Sequence, residues 1–443
     1  MSDLPHFGPE FVWGVSTASY QIEGAVDEDG RGRSIWDEFS HTPGRTLNGD
    51  TGDVACDHYH RYREDVALMA DLGVDAYRFS IAWPRIQPDG TGVEPRGLDF
   101  YDRLVDTLLE HGIEPSATVF HWDSPQALEA SGGWQNREIT DRFAEYARLV
   151  GERLSDRVTR WFTLNETVIF TLLGHGIGIH APGKQLGFDA LQVAWHQLLA
   201  HGKAVQALRA AGATQVGPAN NHVQVRPIDD SDEARDAAAL YDLVYNRVFL
   251  DPILKAEWPL TGFFDPVVDD GDLATISAPI DFLGVNSYNP TYVGAPRPGA
   301  DLPFDLDVSP EGFECNDFGW PIIPDGFTAM LTGLKQQYQD ALPPIYITEN
   351  GGAFNEQPDA EGRVRDQRRI DYTDAHLRAL RDAMDAGVDV RGYFHWSFMD
   401  NFEWAEGFSQ RFGLTYVDYP TQARTPKDSF AWYRDVIAAQ KRP

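Results

Sequence analysis

The sequence predicts an α/β fold in which a single (β/α)8 TIM barrel carries elaborated loops after its strands. Apolar segments typical of strands alternate with amphipathic helical segments, which is the pattern of a parallel sheet with crossover helices. The strand segments are apolar without a clean polar alternation, as expected of parallel strands that are buried on both faces. Polar residues follow most of these segments, and the active site of such a barrel forms at the carboxyl ends of its strands.

Eight segments are predicted to be strands because they are rich in β-branched and aromatic residues. In chain order they are residues 10–20, 74–83, 113–123, 158–166, 214–223, 280–290, 343–352 and part of 388–404. Helices are predicted at residues 57–73, 97–112, 137–156, 189–212 and 369–387. Four residues of the first helix share one apolar face, namely Tyr59, Tyr62, Val66 and Met69. Because α/β barrels run long as one unit, we expect one domain over residues 1–443.

The formal net charge of −31, from 68 acidic and 37 basic residues, excludes several classes of partner. A strongly negative surface repels nucleic acid, anionic lipid and highly anionic substrates. The apolar content of 42% is ample for a large core. The aromatic content of 12% fits either an aromatic core or a carbohydrate site, where aromatic faces stack on sugar C–H groups. Composition alone leaves both readings open.

Cysteine usage and the first residues predict a cytoplasmic protein without a metal or another cofactor. Cys56 and Cys315 are too few for a disulfide framework, and we expect both to be free thiols. Their spacing fits no zinc site, and His58 and His60 stand two residues apart on a predicted helix, which is unsuitable for shared ligation. The first residues lack the pattern of a signal peptide, and no apolar run approaches the length of a membrane span.

Two predicted strands, far apart in the sequence, each end in a glutamate. Glu166 follows the apolar run RWFTLN, and Glu349 follows IYIT. A buried carboxylate is unfavourable unless it is paired, hydrogen-bonded or used in chemistry. Two carboxylates that face one cleft suit acid–base chemistry, metal binding or glycosidic cleavage. Glycosidic cleavage is favoured because no HExxH, GxGxxG, P-loop or GxSxG motif is present.

Glycoside hydrolysis needs an acid that protonates the leaving oxygen and a carboxylate on the other side of the anomeric carbon. A carboxyl separation of about 5–5.5 Å gives retention and about 6.5–9.5 Å gives inversion, and the sequence leaves this distance open. Other strand ends also carry polar or aromatic residues, namely Gln21, His121, Trp122, Asn165, Asn220, Asn221, Asn286, Tyr288 and Trp396. Each of them alone fits a structural role at a strand end, whereas their convergence predicts a binding site.

Several motifs, in their order along the chain, carry a resemblance to a known family. They are FVWGVSTASYQIEGA, RGRSIWDEF, DHYHRYREDVALM, YRFSIAWPRI, TVFHWDSPQAL, TLNE, LGVNSYNP, YITENG and YFHWSFMDNFEWAEGFSQRFGL. Through them essentially all 443 residues resemble family 1 of the glycoside hydrolases, the β-glucosidase family. The resemblance implies a retaining exo-β-glycosidase that removes terminal non-reducing β-D-glucosyl residues through a covalent intermediate. Its partners would be β-glucosides or short β-linked oligosaccharides, with galactosyl and fucosyl residues as further candidates.

The same resemblance implies a role for each matching residue. Glu349 would be the nucleophile and Glu166 the acid/base with a raised pKa, while Asn165 would hold the sugar 2-hydroxyl. Arg78 and Tyr288 would sit beside Glu349, where a cation keeps the carboxylate ionised. The other substrate-binding residues would be Gln21, His121, Trp122, Glu403 and Trp404 at the hydroxyls, Trp396 as an apolar floor, Asn286, and Trp320 on the aglycone side.

Two positions depart from the family pattern: Thr167 stands where Pro is usual, and Ser287 where Tyr is frequent. Threonine restores an N–H and loosens φ, so we expect acid catalysis to be tuned and not abolished. We expect Ser287 to alternate away from Tyr288 along the strand and to have little effect. Members that act on 6-phosphosugars replace Glu403 and carry a Ser and Lys phosphate site nearby. Here the acidic loop would repel a phosphate, although Arg411 is close in sequence.

Three alternatives stay open at the level of sequence. One is a sugar-binding protein that has lost catalysis, with Thr167 as the first sign of that loss. The second is an enzyme in which transglycosylation outruns hydrolysis, and the third is a 6-phospho-β-glycosidase.

Overall fold

Eight parallel strands form a closed barrel at the centre of the computed structural model, which describes residues 4–300, 302–307 and 310–441. They are β1 Val12–Ser16, β2 Ala76–Ser80, β3 Glu114–Phe120, β4 Arg160–Asn165, β5 Gln215–Asn221, β6 Leu283–Asn286, β7 Ile345–Asn350 and β8 Val390–Trp396. Each strand pairs with its neighbours in the sequence, and β8 pairs with β1. The predicted (β/α)8 barrel is confirmed. The prediction of one domain over residues 1–443 stays a prediction, and residues 1–3, 301, 308–309 and 442–443 lie outside the described residues.

A main helix follows each barrel strand in the sequence. These helices are α1 His58–Leu72, α2 Pro95–Glu110, α3 Ile139–Leu154, α4 Leu191–Ala210, α5 Asp232–Tyr245, α6 Pro324–Tyr338, α7 Gln367–Asp385 and α8 Asp428–Gln440. The predicted helices agree with α1 to α4 and α7, and the predicted apolar face of α1 is buried. The sequence prediction contains no helix for α5, α6 or α8. Their signals are local: Ser231 accepts the Ala234 N–H at the start of α5, and Pro324 opens α6.

Side chains fill the interior of the barrel, which is therefore a packed core and not a pore. One buried cluster collects apolar residues from around the barrel, namely Ala76, Phe162, Ala219, Phe282, Tyr346 and Phe394. The guanidinium of Arg78 lies 5.1 Å from the centre of the Phe162 ring. This cation therefore marks the boundary between the apolar interior and the polar residues at the carboxyl ends of the strands.

The loops after the strands carry short elements of their own, as the sequence predicted. The short helices include Ser19–Ile22, Ile35–His41, Trp83–Ile86, Gln126–Glu129, Thr167–Ile169, Asp251–Leu254 and Asp272–Ile276, and a π-helix spans Phe170–Gly176. One small sheet contains Val225–Pro227, Thr291–Gly294 and Asp305–Asp307, and another contains Thr415–Asp418 and Ala423–Pro426. Several of these loops supply residues to the site described below.

Both cysteines are free thiols, as predicted: Cys56 is buried and Cys315 is partly exposed. The two histidines that the sequence excluded from shared ligation bond separate partners, since His58 contacts Asp65 and His60 contacts Asp57. Along the described residues, no helix is long and apolar enough to cross a membrane. The described part of the chain also contains no group of three or more His, Cys, Asp or Glu side chains suited to a metal ion.

Candidate active site

Glu166 directly follows β4 and has a buried carboxyl group that is held by neutral amides. Asn221 and Asn286 each donate an N–H to Glu166 Oε1, and both bonds are 2.9 Å long. The backbone of Glu166 is in the left-handed region, with φ 47°. Non-glycine residues seldom adopt this conformation, and when they do it is often at functional sites. The chain turns sharply here, and the carboxyl faces the barrel mouth.

Glu349 lies near the end of β7, and its partners differ in charge from those of Glu166. Arg78 Nη1 donates to Glu349 Oε1 at 2.7 Å, and the Tyr288 hydroxyl donates to Oε2 at 2.7 Å. Both side chains of the ion pair are almost fully buried. The sequence prediction that Arg78 and Tyr288 sit beside Glu349 agrees with this geometry.

Strand register explains why the two glutamates meet. Asn221 on β5 pairs with Asn286 on β6, and Asn286 pairs with Glu349 on β7, so the three residues form one row across adjacent strands. The Asn286 amide donates one N–H to Glu166 Oε1 and the other to Asn165 Oδ1. Its carbonyl accepts the Thr348 hydroxyl at 2.6 Å, which fixes the direction of the amide. One fixed side chain therefore bonds Glu166 from a position that is paired in register with Glu349.

The side chain of Asn165 connects β2, β3, β4 and β6 in one network. Its Oδ1 accepts N–H groups from Arg78 at 2.6 Å and from Asn286 at 3.1 Å. Its Nδ2 lies 3.0 Å from His121 Nε2. The other ring nitrogen of His121 is buried without a protein partner. Burial, with Arg78 nearby, lowers the pKa of His121 well below its ordinary value, so the ring is neutral.

The indole N–H of Trp122 has a partner within the protein. The sequence placed it among the residues that bind sugar hydroxyls, but its indole N–H is donated to the backbone oxygen of Asn165 at 2.8 Å. This indole nitrogen is the only polar group of the side chain, and the predicted contact of Trp122 with a sugar hydroxyl stays a prediction. The Trp122 ring packs against Trp404, with ring centres 4.6 Å apart.

Gln21 and Glu403 form a second polar corner of the site. Gln21 Nε2 donates to Asn401 Oδ1 at 3.0 Å and to the Phe402 oxygen at 2.9 Å, whereas its contact with Glu403 is long at 3.5 Å. The carbonyl oxygen of Gln21 is buried without a partner. This corner therefore keeps unused acceptors. Residues 401–403 lie in the loop after β8, which brings them next to the loop after β1.

Aromatic rings surround the two polar corners. Trp396, at the end of β8, and Trp404 both stack on the His121 ring, with centres 6.0 and 5.8 Å away. Trp320 lies on the other side, where its ring centre is 5.3 Å from that of Tyr288. The structure thus brings together every side chain that the sequence predicted for the site.

The environment raises the pKa of three carboxyl groups in the site. Burial, and next the charge of Glu349, raises the pKa of Glu166 to about 8. Burial also raises the pKa of Glu403 to about 8, with Glu349 and Glu166 adding to the rise. For Glu349 burial raises the pKa as well, but Arg78 and Tyr288 oppose the rise. A guanidinium is bonded to Glu349, whereas Glu166 is bonded by neutral amides, so the partners of Glu349 favour the charged form more strongly.

Sequence reasoning missed how strand β5 supports Glu166. It noted Asn220 and Asn221 as polar strand-end residues but gave neither a role. Asn221 contacts the Glu166 carboxyl, and Asn220 Oδ1 accepts the Thr167 hydroxyl at 2.8 Å. Tyr245, at the end of α5, donates its hydroxyl to Asn221 Oδ1 at 3.0 Å and was not predicted at all. The alternation of side chains along a strand was the available signal, since one Asn points inward and its neighbour outward.

Two smaller predictions also change. Ser287 was expected to alternate away from Tyr288 on a strand, but β6 ends at Asn286, so both residues lie beyond it. The Ser287 backbone bonds the oxygen of Glu349 and the side chain of Asn350. Arg411, which is close to the acidic loop, is buried and paired with Asp400 at 2.7 Å. It is therefore not available to hold a phosphate.

Comparison with known proteins agrees with this geometry. The family model described as glycosyl hydrolase family 1 matches residues 4–442. The chain belongs to glycosyl hydrolase family 1. Among curated family 1 relatives, beta-glucosidase A of Thermotoga maritima is 45% identical over 443 residues, which is 98% of each chain. A bifunctional beta-D-glucosidase/beta-D-fucosidase of Bifidobacterium breve is 46% identical over 462 residues, again 98% of each chain.

A solved structure extends the likeness to three dimensions. The family 1 b-glucosidase from Thermotoga maritima superimposes with a TM-score of 0.95 at 44% identity, and the match covers 100% of both chains. The resemblance and the fold class predicted from the sequence are both confirmed by these findings.

Proposed function

We propose that this family 1 protein is a retaining exo-β-glucosidase that hydrolyses terminal non-reducing β-D-glucosyl residues. One observation carries the proposal: Asn286 bonds one buried glutamate and pairs in register with the other, yet the first is bonded by neutral amides and the second by a guanidinium. Retaining glycosidases need this pair of unlike carboxyls, an acid and an ionised nucleophile. Family membership and the names of the relatives support the same reaction.

In the first step Glu349 would attack the anomeric carbon while Glu166 protonates the leaving oxygen. Arg78 and Tyr288 favour the ionised form of Glu349. Glu166, with its pKa near 8, carries a proton at neutral pH and can act as the acid. Asn165, oriented by Arg78, would hold the sugar 2-hydroxyl, a contact that strengthens as oxocarbenium character develops.

In the second step water would cleave the glycosyl ester of Glu349. Esterification removes the negative charge of Glu349, which is the second-largest cause of the raised pKa of Glu166. The pKa of Glu166 then falls, so the same group can take a proton from water. The change of role follows from the loss of that charge.

The polar corner opposite the glutamates would bind the hydroxyls of the non-reducing sugar. Gln21 offers an unused carbonyl oxygen, and His121 offers an unused ring nitrogen. The contact between the Glu403 carboxyl and Gln21 is long, at 3.5 Å. Trp396 and Trp404 supply the apolar faces. Further binding residues would be Asn286 beside the anomeric carbon and Tyr288 and Trp320 on the aglycone side.

Charge disfavours a 6-phosphorylated substrate. The site contains the carboxyls of Glu166, Glu349 and Glu403, whereas Arg78 is committed to Glu349 and Arg411 to Asp400. Loss of catalysis is also disfavoured because both glutamates retain a full set of partners. The proposed substrates are β-glucosides and short β-linked oligosaccharides such as those released from cellulose. The cytoplasmic location stays a prediction of the sequence.

The test is the initial rate of hydrolysis of nitrophenyl β-glucoside, its 6-phosphate and its α-anomer, with the released sugar followed by NMR. We expect fast cleavage of the β-glucoside alone and release of β-glucose first. Glu349→Ala should lower kcat by at least about 10³-fold, because no covalent intermediate can form. Glu361→Ala, at an exposed acid, serves as the control and should retain wild-type turnover. Near-wild-type turnover by Glu349→Ala, or release of α-glucose first, would refute the proposal.

A further inference from the structure

Three consecutive residues at the end of β5 hold the segment that contains Glu166. The Ala219 oxygen accepts the Glu166 N–H at 2.7 Å, and Asn220 accepts the Thr167 hydroxyl at 2.8 Å. Asn221 donates to the Glu166 carboxyl at 2.9 Å. Because Glu166 has a left-handed backbone, its conformation depends on such neighbouring contacts. Strand β5 thus fixes both the backbone and the side chain of the proposed acid/base.

The direction of the Asn221 amide decides what it offers to Glu166. An amide side chain presents N–H donors at one end and a carbonyl acceptor at the other. The carbonyl end of Asn221 accepts the Tyr245 hydroxyl at 3.0 Å, which turns the N–H end toward Glu166. Burial raises the pKa of Tyr245 well above its ordinary value, so this hydroxyl keeps its proton.

The Tyr245 ring is itself firmly placed. It is buried in an apolar cluster and stacks on Tyr241 one helical turn earlier in α5, with ring centres 5.3 Å apart. The Asn221 amide bonds Glu166 and Tyr245 and not Tyr241. Tyr245 therefore links a packed helix outside the barrel to the carboxyl of Glu166 through one amide.

The amide direction matters because both amide donors use the same carboxyl oxygen. Asn221 and Asn286 donate to Oε1, so the proton of neutral Glu166 is favoured on Oε2. A reversed Asn221 would present its carbonyl to Oε1. It would then favour a proton on Oε1, which faces the amides, and would repel the ionised carboxylate. The correct amide direction therefore serves both the acid step and the base step.

We propose that Tyr245 is a positioning residue for the reaction, and that it acts on Glu166 by fixing the direction of the Asn221 amide. This inference rests on the proposed role of Glu166 as acid/base. It adds a residue that acts through Asn221 and that the sequence analysis did not single out.

The first test uses leaving groups of different quality with the variant Tyr245→Phe, which keeps the stacked ring. Leaving groups that need protonation depend on the acid, whereas dinitrophenolate leaves without help. We expect kcat/KM to fall about tenfold for methyl or phenyl β-glucoside and less than about twofold for 2,4-dinitrophenyl β-glucoside. Tyr241→Phe is the matched control, since it removes a phenol from the same helix, and it should be close to wild type on both substrates.

The second readout is the alkaline limb of the kcat/KM profile, which reports the acid in the free enzyme. The Asn221 hydrogen bond lowers the pKa of Glu166, so losing it should move this limb to higher pH by about half a unit or more. Apart from Tyr245 itself, the charged and titratable groups that face Glu166 are unchanged by the substitution; they are Arg78, Tyr288, Glu349 and Glu403.

Equal losses on both leaving groups with an unmoved alkaline limb would overturn the proposal, because a merely structural role predicts that result. Wild-type kinetics of Tyr245→Phe would overturn it as well. Failure of the proposed function is recognised separately, by Glu349→Ala that still turns over the activated substrate.

Discussion

The ends of β4 and β7 place the same amino acid in two different environments. Glu166 and Glu349 are buried to a similar degree, with 5% and 3% of their surface exposed. At β4 the partners are two neutral amides, and at β7 they are a guanidinium and a phenol. Burial alone would protonate both groups equally, so the partners separate an acid from a nucleophile. The comparison teaches that the two roles are set by β2, β5, β6 and the residues just after β6, which hold the partners.

Removing the cation that is bonded to Glu349 should have the largest effect on the difference between the two glutamates. With Arg78→Met we expect kcat/KM to fall by about 10³-fold, because Glu349 then has no counter-charge and takes up a proton, and Asn165 loses a donor. The acidic limb of the pH profile should move to higher pH, since the pKa of Glu349 rises. Steady-state kinetics over a range of about pH 4 to 9 measure both the fall in kcat/KM and the shift of the acidic limb.

Arg78→Lys is the matched control for this change. Lysine keeps the positive charge but lacks the fork of donors with which Arg78 bonds Glu349 and Asn165 together. The activity of this variant should therefore lie between those of the wild type and Arg78→Met. Activity of a folded Arg78→Met protein within tenfold of wild type would show that the cation does not separate the two carboxyls.

A smaller change at β4 sharpens the comparison. Thr167→Val removes the hydroxyl that bonds Asn220 and leaves a buried carbonyl oxygen without that donor. We expect a loss of about 1–3 kcal/mol of stability and a few-fold fall in kcat, because the turn at Glu166 is less firmly held. Thermal unfolding and kinetics measure both. Thr167→Ser retains the hydroxyl and should stay close to wild type.

Equal stability of the valine and serine variants would show that the Thr167 hydroxyl does not support the turn. The position also explains how the family tolerates Pro here. Thr167 is the first residue of a short helix, where a backbone N–H has no helical partner and the fixed φ of Pro is suitable. At position 167 the chain therefore has a side-chain hydrogen bond in place of the restricted backbone of Pro.

The sequence was sufficient for the barrel and for most of the site. Strand composition located all eight barrel strands, and motifs at their ends identified both glutamates and the rings around them. It was insufficient where the outcome depends on side-chain direction. Whether Trp122 has a free N–H is decided by its distance to the Asn165 oxygen. Tyr245 lies on a helix that the sequence prediction did not contain, and only the fold brings it to Asn221.

The pKa of Glu166 before and after Glu349 is esterified tests the central claim most directly. Carbon-13 NMR of labelled glutamates, with Glu166→Gln for assignment, would follow the free enzyme and the enzyme trapped with a 2-deoxy-2-fluoroglucosyl group. Glu166 should titrate near pH 8 when Glu349 is free, and its pKa should fall by about one unit or more in the trapped enzyme. An ordinary pKa in the free enzyme, or an unchanged value after trapping, would contradict the account.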